Sequence, residues 1–282
     1  MKMISIGIIV AMCAITLVGC INKDDVKKTL ESVVDVKTIQ VNGMEIFSDD
    51  DDFRDSEKWG KVVTLKCDAA DFTEIEDDTQ ADIIYRQSDT YSVILHGNEK
   101  VIDKYYKVTC SNGKLNITNK ISHNGRIPKI EAVISTPTLK GVTLNGTGDI
   151  DMPDEVSFDN DLTLITDGTG DIDIVRLTCQ DLTIKMNGTG DVDIRHAKCG
   201  DKILIDNNGT GDVSGKYKAT DIDITNNGTG DIDIKVNCEN LKADALGTGE
   251  IELEGTANNF IRKTNGLSKI DSKDLRAENI SR

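Results

Sequence analysis

The sequence has few basic residues for its many acids, and it lacks the motifs of common enzymes. Against 49 Asp and Glu residues it carries 33 Lys and Arg, a formal net charge of −16. A surface of that sign repels phosphate backbones, so nucleic acid is excluded as an expected partner. Gly-x-Ser-x-Gly, His-Glu-x-x-His and a phosphate-binding glycine loop ahead of a helix are missing, which excludes the enzyme sites that need them. The three histidines, His96, His123 and His196, are scattered, and we interpret each as a surface or capping residue.

Residues 1–19 are predicted to be a bacterial lipoprotein signal peptide. Lys2 is followed by an apolar run over residues 3–18 and by Leu-Val-Gly directly before Cys20, the usual order of such a leader. The run is too short for a comfortable membrane span, and Leu-Val-Gly-Cys looks like a lipobox, whose cysteine is acylated. We therefore expect an outer-membrane lipoprotein anchored through Cys20; the alternative is a buried apolar helix.

A charged tether is expected after the anchor. The Lys-Asp-Asp cluster at 23–25 resembles the export tag of surface lipoproteins in Bacteroidetes-type bacteria, but a solvated tether has the same composition, so periplasmic or extracellular display stays open. Residues 20–68 show few periodic features and are predicted to form the acylated N-terminal extension. From residue 69 onward, short alternating segments separated by Asn-Gly and Gly-Asn turns predict strands.

Six copies of the phrase Gly-Thr-Gly-Asp-Ile-Asp, with small variations, dominate the second half of the chain. They begin at Gly146, Gly168, Gly188, Gly209, Gly228 and Gly247, at intervals of 22, 20, 21, 19 and 19 residues. Self-similarity at a nearly fixed period of this size is typical of a solenoid, in which each coil buries its apolar residues by stacking on its neighbours. We predict an all-β fold: a single-chain right-handed parallel β-helix over residues 69–282, with repeats from 146 to 271.

Each copy is predicted to divide into a corner and a strand. Gly-Thr-Gly would turn the corner, because glycine reaches bend conformations without strain and lets successive corners stack closely. Strand alternation sends the Ile or Val of each copy inward, facing a second row on the opposite strand. The first row is Ile150, Ile172, Val192, Val213, Ile232 and Ile251, and the second is Leu164, Ile184, Ile205 and Ile224. These two rows are the predicted core.

Three cysteines are predicted to share one small, buried position of the coil. The position lies 10 or 11 residues after a repeat glycine and holds Cys179, Cys199 and Cys238 in three coils and Ser157, Ala219 and Ala257 in the others. Burial of a small side chain explains this pattern better than metal binding. Of the seven cysteines, Cys13 lies in the predicted leader and Cys20 is the predicted acylation site. With Cys67 and Cys110, the three make an odd set of five, which argues against a fully paired disulfide scaffold and leaves their state open.

The coils and the segments before them resemble one known family. Besides the repeats, the resemblance rests on the segments that begin at Asp82 (Asp-Ile-Ile-Tyr-Arg-Gln), Tyr91 (Tyr-Ser-Val), Gly113 (Gly-Lys-Leu-Asn-Ile) and Thr136 (Thr-Pro-Thr-Leu). Over residues 69–282 the chain is similar to the putative autotransporter adhesin family with the head GIN domain. The resemblance implies a lipid-anchored, single-chain parallel β-helix with an adhesive role, and it supplies no catalytic residues. Gly-Thr-Gly stands here where that family often has Gly-Ser-Gly.

The residues flanking each inward Ile or Val are predicted to point outward in two columns. The columns hold Asp149 and Asp151, Asp171 and Asp173, Asp191 and Asp193, Asp212 and Ser214, Asp231 and Asp233, and Glu250 and Glu252. Coils lie ~4.8 Å apart, and two carboxylates at that separation repel by about 1 kcal/mol in water. These acids are the candidate cation- or partner-binding face. Either Ca²⁺ or solvation together with an outward basic row offsets the repulsion; that row is Arg176, Arg195, Lys216 and Lys235.

The sequence predicts a protein that presents a surface and catalyses no reaction. We expect adhesin-like binding of an extracellular glycan or protein, with Ca²⁺ as the one candidate cofactor. One rival is a carbohydrate-active β-helix lyase or glycosidase. Two features disfavour it: the coil lengths are nearly constant, and aromatic residues that could stack on a sugar are scarce in the repeats, with Tyr217 as the main exception. Another is a purely structural envelope protein that self-associates through a solenoid edge.

Overall fold

The computed structural model describes residues 40–41, 44–45, 56–121, 127–265 and 267–281. The predicted signal peptide, the acylation site Cys20, the cluster at 23–25 and His123 lie outside the described residues. The chain forms two compact units, divided after Asp49. In the first unit, β1 (Gln40–Val41) and β2 (Met44–Glu45) pair antiparallel. The second unit holds all the other described elements.

Parallel strands stack in register into two ladders along the second unit. The leading ladder follows the Gly-Thr-Gly corners and comprises β11 (Ile150–Ser157), β13 (Ile172–Cys179), β15 (Val192–Cys199), β17 (Val213–Lys218) and the first parts of β19 (Ile232–Ala245), β20 (Glu250–Thr264) and β21 (Lys269–Ser281). The returning ladder comprises β10 (Gly141–Leu144), β12 (Leu162–Thr166), β14 (Leu182–Met186), β16 (Lys202–Asn207), β18 (Asp221–Asn226) and the second parts of the same three long strands. Each strand pairs with its equivalent one coil away. The predicted β-solenoid is confirmed.

The N-terminal part of this unit departs from the parallel pattern. Its strands are β3 (Val62–Cys67), β4 (Glu74–Asp77), β5 (Asp82–Gln87), β6 (Ser92–Asn98), β7 (Tyr106–Ser111), β8 (Lys114–Asn119) and β9 (Glu131–Thr136). β4 and β5 continue the two ladders beside β10 and β11, whereas β3–β6, β6–β9 and β7–β8 are antiparallel pairs. Because β3 lies within the extension predicted over residues 20–68, the sheet begins before residue 69.

Two short helices accompany these strands, α1 (Ser56–Trp59) and α2 (Glu99–Tyr105). α2 corrects the prediction of strands and turns alone for this region. It buries Val101, Ile102 and Tyr105 in the common core, because residues three and four apart share one face of a helix. Its seven residues are too few to give a helical period that a reader of the sequence would separate from the flanking strands.

The predicted core rows are confirmed. Every residue of both rows is buried, with at most 1% of its surface exposed. The leading strands then bend, as β13 shows: Val175 and Arg176 are two consecutive outward-facing residues between buried Ile174 and Leu177. After these two residues the inward and outward alternation begins again. The core of the repeats is therefore aliphatic and continuous from coil to coil.

Tyr217 belongs to this core and is not available to stack on a sugar. It is 1% exposed, and its Oη donates to the carbonyl oxygen of Ser214 at 3.0 Å. The interpretation of Tyr217 as a possible sugar-stacking aromatic was therefore wrong.

Close stacking requires the glycines of the Gly-Thr-Gly corners. A Cβ on Gly190 would lie 1.9 Å from the carbonyl oxygen of Gly170 in the preceding coil, and one on Gly188 would lie 2.0 Å from that of Gly168. None of the twelve corner glycines has a positive φ. The part of the prediction that rested on special backbone angles was therefore wrong, and the part that rested on stacking holds.

Buried asparagines brace two of the corners from inside. Asn207 Oδ1 accepts from the Gly209 N–H at 3.0 Å, and its Nδ2 donates to the Gly211 carbonyl oxygen at 2.9 Å. Asn226 makes the equivalent two bonds one coil later. At the first corner the same position holds Asp77, whose Oδ1 accepts from the N–H and the hydroxyl of Thr79. A carboxyl group thus replaces an amide at one end of a buried row.

The cysteine position is confirmed for three coils and corrected for the first. Cys179, Cys199 and Cys238 are buried and free, and the Sγ atoms of Cys179 and Cys199 lie 3.5 Å apart in neighbouring coils. Ser157, however, is in register with Thr178 and is exposed, since a register shift after Met152 places one extra residue in β11. Phe158 takes the buried place. Cys67 and Cys110 are also free thiols.

Candidate functional site

The acidic face lies at the start of the leading strands, and its two columns have different surroundings. We call the acids directly after each corner the inner column. In each of its five aspartates, Oδ1 accepts from the backbone N–H of the equivalent residue in the next coil, whereas the sixth member, Glu250, pairs with Lys269. The bonds run from Asp171 N to Asp149 (3.0 Å), Asp191 N to Asp171 (2.8 Å), Asp212 N to Asp191 (2.7 Å), Asp231 N to Asp212 (2.6 Å) and Glu250 N to Asp231 (2.7 Å). The inner column is therefore part of the fold.

Lysines neutralise both ends of the inner column. At the N-terminal end, Lys129 Nζ lies 2.9 Å from Asp82 and 4.0 Å from Asp149. At the other end, Lys269 pairs with Glu250 and lies 3.4 Å from Asp271. Backbone N–H bonds and these two lysines offset the stacking of carboxylates that the sequence predicted to be costly.

The outer column begins two residues later and has no such partners. It holds Asp151, Asp173, Asp193, Ser214, Asp233 and Glu252. Within the described part of the chain, none of these side chains makes a hydrogen bond or an ion pair. The pKa values of Asp151 and Asp173 are raised, first by burial and then by the neighbouring carboxylates. The outer column is thus a row of carboxylates with no directly bonded counter-charge among the described residues.

The predicted basic row does not pair with the acidic columns. Arg176 lies 3.7 Å from Glu155, and Lys235 lies 3.5 Å from Glu254, so each pairs with a glutamate in its own file along the solenoid. Among the described residues, Arg195 and Lys216 make no ion pair. The expectation that this row neutralises the face through lateral salt bridges was wrong for these four residues; Arg195 acts on Asp173 only through space and opposes a small part of the rise in the pKa of that carboxyl.

The face is shallow and holds no preformed metal cage. The two columns line a cavity of about 570 Å³ between Asp171 and Glu252. No group of three or more His, Cys, Asp or Glu side chains in the described ranges is arranged to hold a metal ion. Each inner aspartate already uses one oxygen to accept from a backbone N–H, and Glu250 pairs with Lys269, which leaves fewer ligands for a cation that takes six to eight oxygens. None of the helices that the structure describes is long and apolar enough to cross a membrane.

Comparison with known proteins agrees with this architecture. A family model described as "Putative auto-transporter adhesin, head GIN domain" matches residues 71–200 and 201–281. The crystal structure of a "putative adhesin" from Bacteroides fragilis has a TM-score of 0.68 at 25% identity and covers 75% of this chain and 96% of its own. A "putative adhesin" from Parabacteroides distasonis has a TM-score of 0.63 at 19% identity, with coverages of 78% and 96%.

A further relative carries a different name. A "putative lipid binding protein" from Parabacteroides distasonis has a TM-score of 0.52 at 16% identity and covers 79% of this chain and 98% of its own. Likeness at this level concerns the fold alone, and no curated protein matches the chain. The family model, in contrast, spans well over half of the residues with both of its segments on the solenoid unit. The chain therefore belongs to the family described as "Putative auto-transporter adhesin, head GIN domain".

Proposed function

We propose that this protein is a non-enzymatic, adhesin-like binding protein of the cell envelope, and that the outer column of its acidic face contacts an extracellular glycan or protein. The observation that carries the proposal is the contrast between the two columns. The five inner aspartates accept from backbone N–H groups and Glu250 pairs with Lys269, whereas the outer acids, repeated on successive coils, have no hydrogen-bond or ion-pair partner within the described residues.

The repetition of the face suits binding of a polymeric or clustered partner. Equivalent carboxylates recur at every coil, ~4.8 Å apart, so a partner with regularly spaced groups can engage several at once. Each contact is weak when exposed to solvent, but linked contacts add through effective concentration. Family membership supports an adhesive role at the cell surface or envelope, and the even coils offer no deep cleft of the kind that enzymes use to exclude water.

Attachment through Cys20 is part of the proposal. A lipid anchor would hold the solenoid at the outer membrane, with residues 20–68 as the extension. Cys20→Ala is expected to abolish incorporation of a labelled fatty acid and to release the protein from the membrane fraction of the native host, with Cys13→Ala as the matched control. Retention of label and membrane association in the Cys20 variant would contradict the anchor.

The binding site is tested with two variants of equal charge change. Asp173→Lys/Asp193→Lys reverses two outer-column residues that make no hydrogen bond. Asp201→Lys/Glu239→Lys reverses two exposed acids at the turns between the ladders. Purified protein is screened against arrays of extracellular glycans and matrix proteins. We expect the outer-column variant to lose at least about tenfold in affinity for the strongest partner, while the control keeps wild-type affinity. Equal affinity for all three proteins would refute the assignment of this face.

A further inference from the structure

A second surface, separate from the acidic face, gathers basic side chains in this acidic protein. A groove of about 570 Å³ crosses the leading ladder beyond its bend and extends over successive coils. Its basic lining residues are Arg176, His196, Lys198, Lys216, Lys218 and Lys235. Six basic side chains from four coils meet here although the chain as a whole carries a net charge of −16.

Register explains why these side chains meet. Lys216 pairs with Lys235, and Lys198 pairs with Lys218, so basic residues stack directly on one another in two files. Neighbours within a file lie ~4.8 Å apart, and like charges directly opposite on paired strands destabilise a sheet. These stacked basic residues therefore repel one another, and a bound anion would relieve that repulsion.

Acids neutralise only the ends of the groove. Arg176 pairs with Glu155 at one end, and Lys235 pairs with Glu254 at the other. Between them, Lys198, Lys216 and Lys218 are exposed and make no ion pair within the described ranges. The centre of the groove therefore presents three uncompensated ammonium groups to solvent.

We propose that this groove binds one chain of a linear anionic polysaccharide, whose carboxylate or sulfate groups pair with Lys198, Lys216 and Lys218. The cations recur along the solenoid at a spacing comparable to the length of one sugar residue, so a polymer with frequent charges can meet several at once. Side chains of Thr178, Asn237 and Thr256 also line the groove and offer hydrogen bonds to sugar hydroxyls. The net charge of −16 disfavours a second copy of this protein as the occupant.

The groove and the acidic face can be tested independently because they share no residue. The full-length protein is passed over immobilised dextran sulfate and over neutral dextran, which has the same sugar backbone. Lys198→Glu/Lys218→Glu removes two central cations. Lys185→Glu/Lys263→Glu makes the same change in net charge at two exposed lysines of the returning ladder, neither of which forms an ion pair with any residue that the structure describes. Circular dichroism confirms that each variant is folded.

Support requires three results together: binding to dextran sulfate and not to dextran, weakening with added salt, and a loss of at least about tenfold in affinity for the groove variant alone. Equal losses in both double variants would overturn the site, because they would reflect net charge only. Equal binding to dextran would overturn the proposal of an anionic ligand.

Two other results would assign the groove to a different occupant and overturn the polysaccharide. Groove-dependent binding to phosphatidylglycerol vesicles without binding to dextran sulfate would indicate a lipid surface. Groove-dependent dimers in sedimentation would indicate a second copy of this protein. The outer-column variant should bind dextran sulfate at least as well as wild type, whether or not the acidic face proves to be a binding site.

Discussion

At the scale of single residues, the buried carboxyl group of Asp77 makes stability depend on pH near neutrality. Burial raises its pKa to about 7, against the opposing effect of the two hydrogen bonds from Thr79, and its Oδ2 has no hydrogen-bond partner among the described residues. The same group ionises near pH ~4 in an unfolded chain. Because the folded pKa is the higher one, its contribution to stability is full below pH ~4 and is lost as the pH rises through about 7.

Asp77→Asn should remove this dependence. Asparagine already occupies the equivalent buried position at Asn207 and Asn226 and bonds to its own corner there. At pH 8 the variant should be more stable than wild type by on the order of 3 kcal/mol, and the gap should shrink toward pH 5. Thermal melts of both proteins between pH 5 and 8 measure the gap, and a gap that does not change with pH would show that Asp77 is not the titrating group.

The inward rows and the acidic columns show what the sequence could and could not predict. Alternation identified the inward rows because a strand has a fixed period of two, and the repeat fixed its phase in every coil. The hydrogen bonds of the inner column could not be predicted, since Asp149 and Asp151 are the same residue type and differ only in their distance from a corner. One signal was present: the inner position is acidic in all six copies, whereas the outer one accepts Ser214.

At the scale of the coil, the corners depend on glycine for contact between coils. Gly190→Ala would place a Cβ 1.9 Å from a backbone oxygen that has no room to move. We expect a loss of more than about 3 kcal/mol in the free energy of unfolding, measured by urea titration. Gly200→Ala is the matched control in the same coil, because its Cβ would meet only the flexible end of Gln180, at 2.8 Å. It should cost less than about 1 kcal/mol; similar costs at both sites would contradict the stacking account.

Outside the repeat, the sequence predicted the strands correctly but not the direction in which they pair, nor the helix α2. β3 to β9 and α2 occur before the first Gly-Thr-Gly, where no second copy confirms a register or a direction of pairing. Antiparallel and parallel strands have the same alternation, so residue pattern alone does not separate them. Ser157 was misplaced for a related reason, since the first coil holds 22 residues and the extra residue at the bend of β11 shifts everything after it.

At the scale of the whole molecule, repulsion within the acidic face should make the melting temperature depend on ionic strength and not on one particular cation. The inner aspartates accept from backbone N–H groups, Glu250 pairs with Lys269, and the outer column offers at most one carboxylate per coil. Ca²⁺ and Mg²⁺ at equal ionic strength should therefore shift the melting temperature equally, through screening. A saturable increase with Ca²⁺ alone, reversed by a chelator, would instead identify a specific site.

The division of the acidic face into two columns is tested most directly by the melting temperatures of two matched double variants. Asp171→Ala/Asp191→Ala removes two inner-column acceptors of backbone N–H groups, and Asp173→Ala/Asp193→Ala removes two outer-column acids of the same coils. The inner variant should lose about 1 kcal/mol per bond and melt several degrees lower. The outer variant should melt at or slightly above the wild-type temperature, because burial and repulsion raise the pKa of Asp173. Equal destabilisation by both variants would contradict the division of the face into a structural column and a free one.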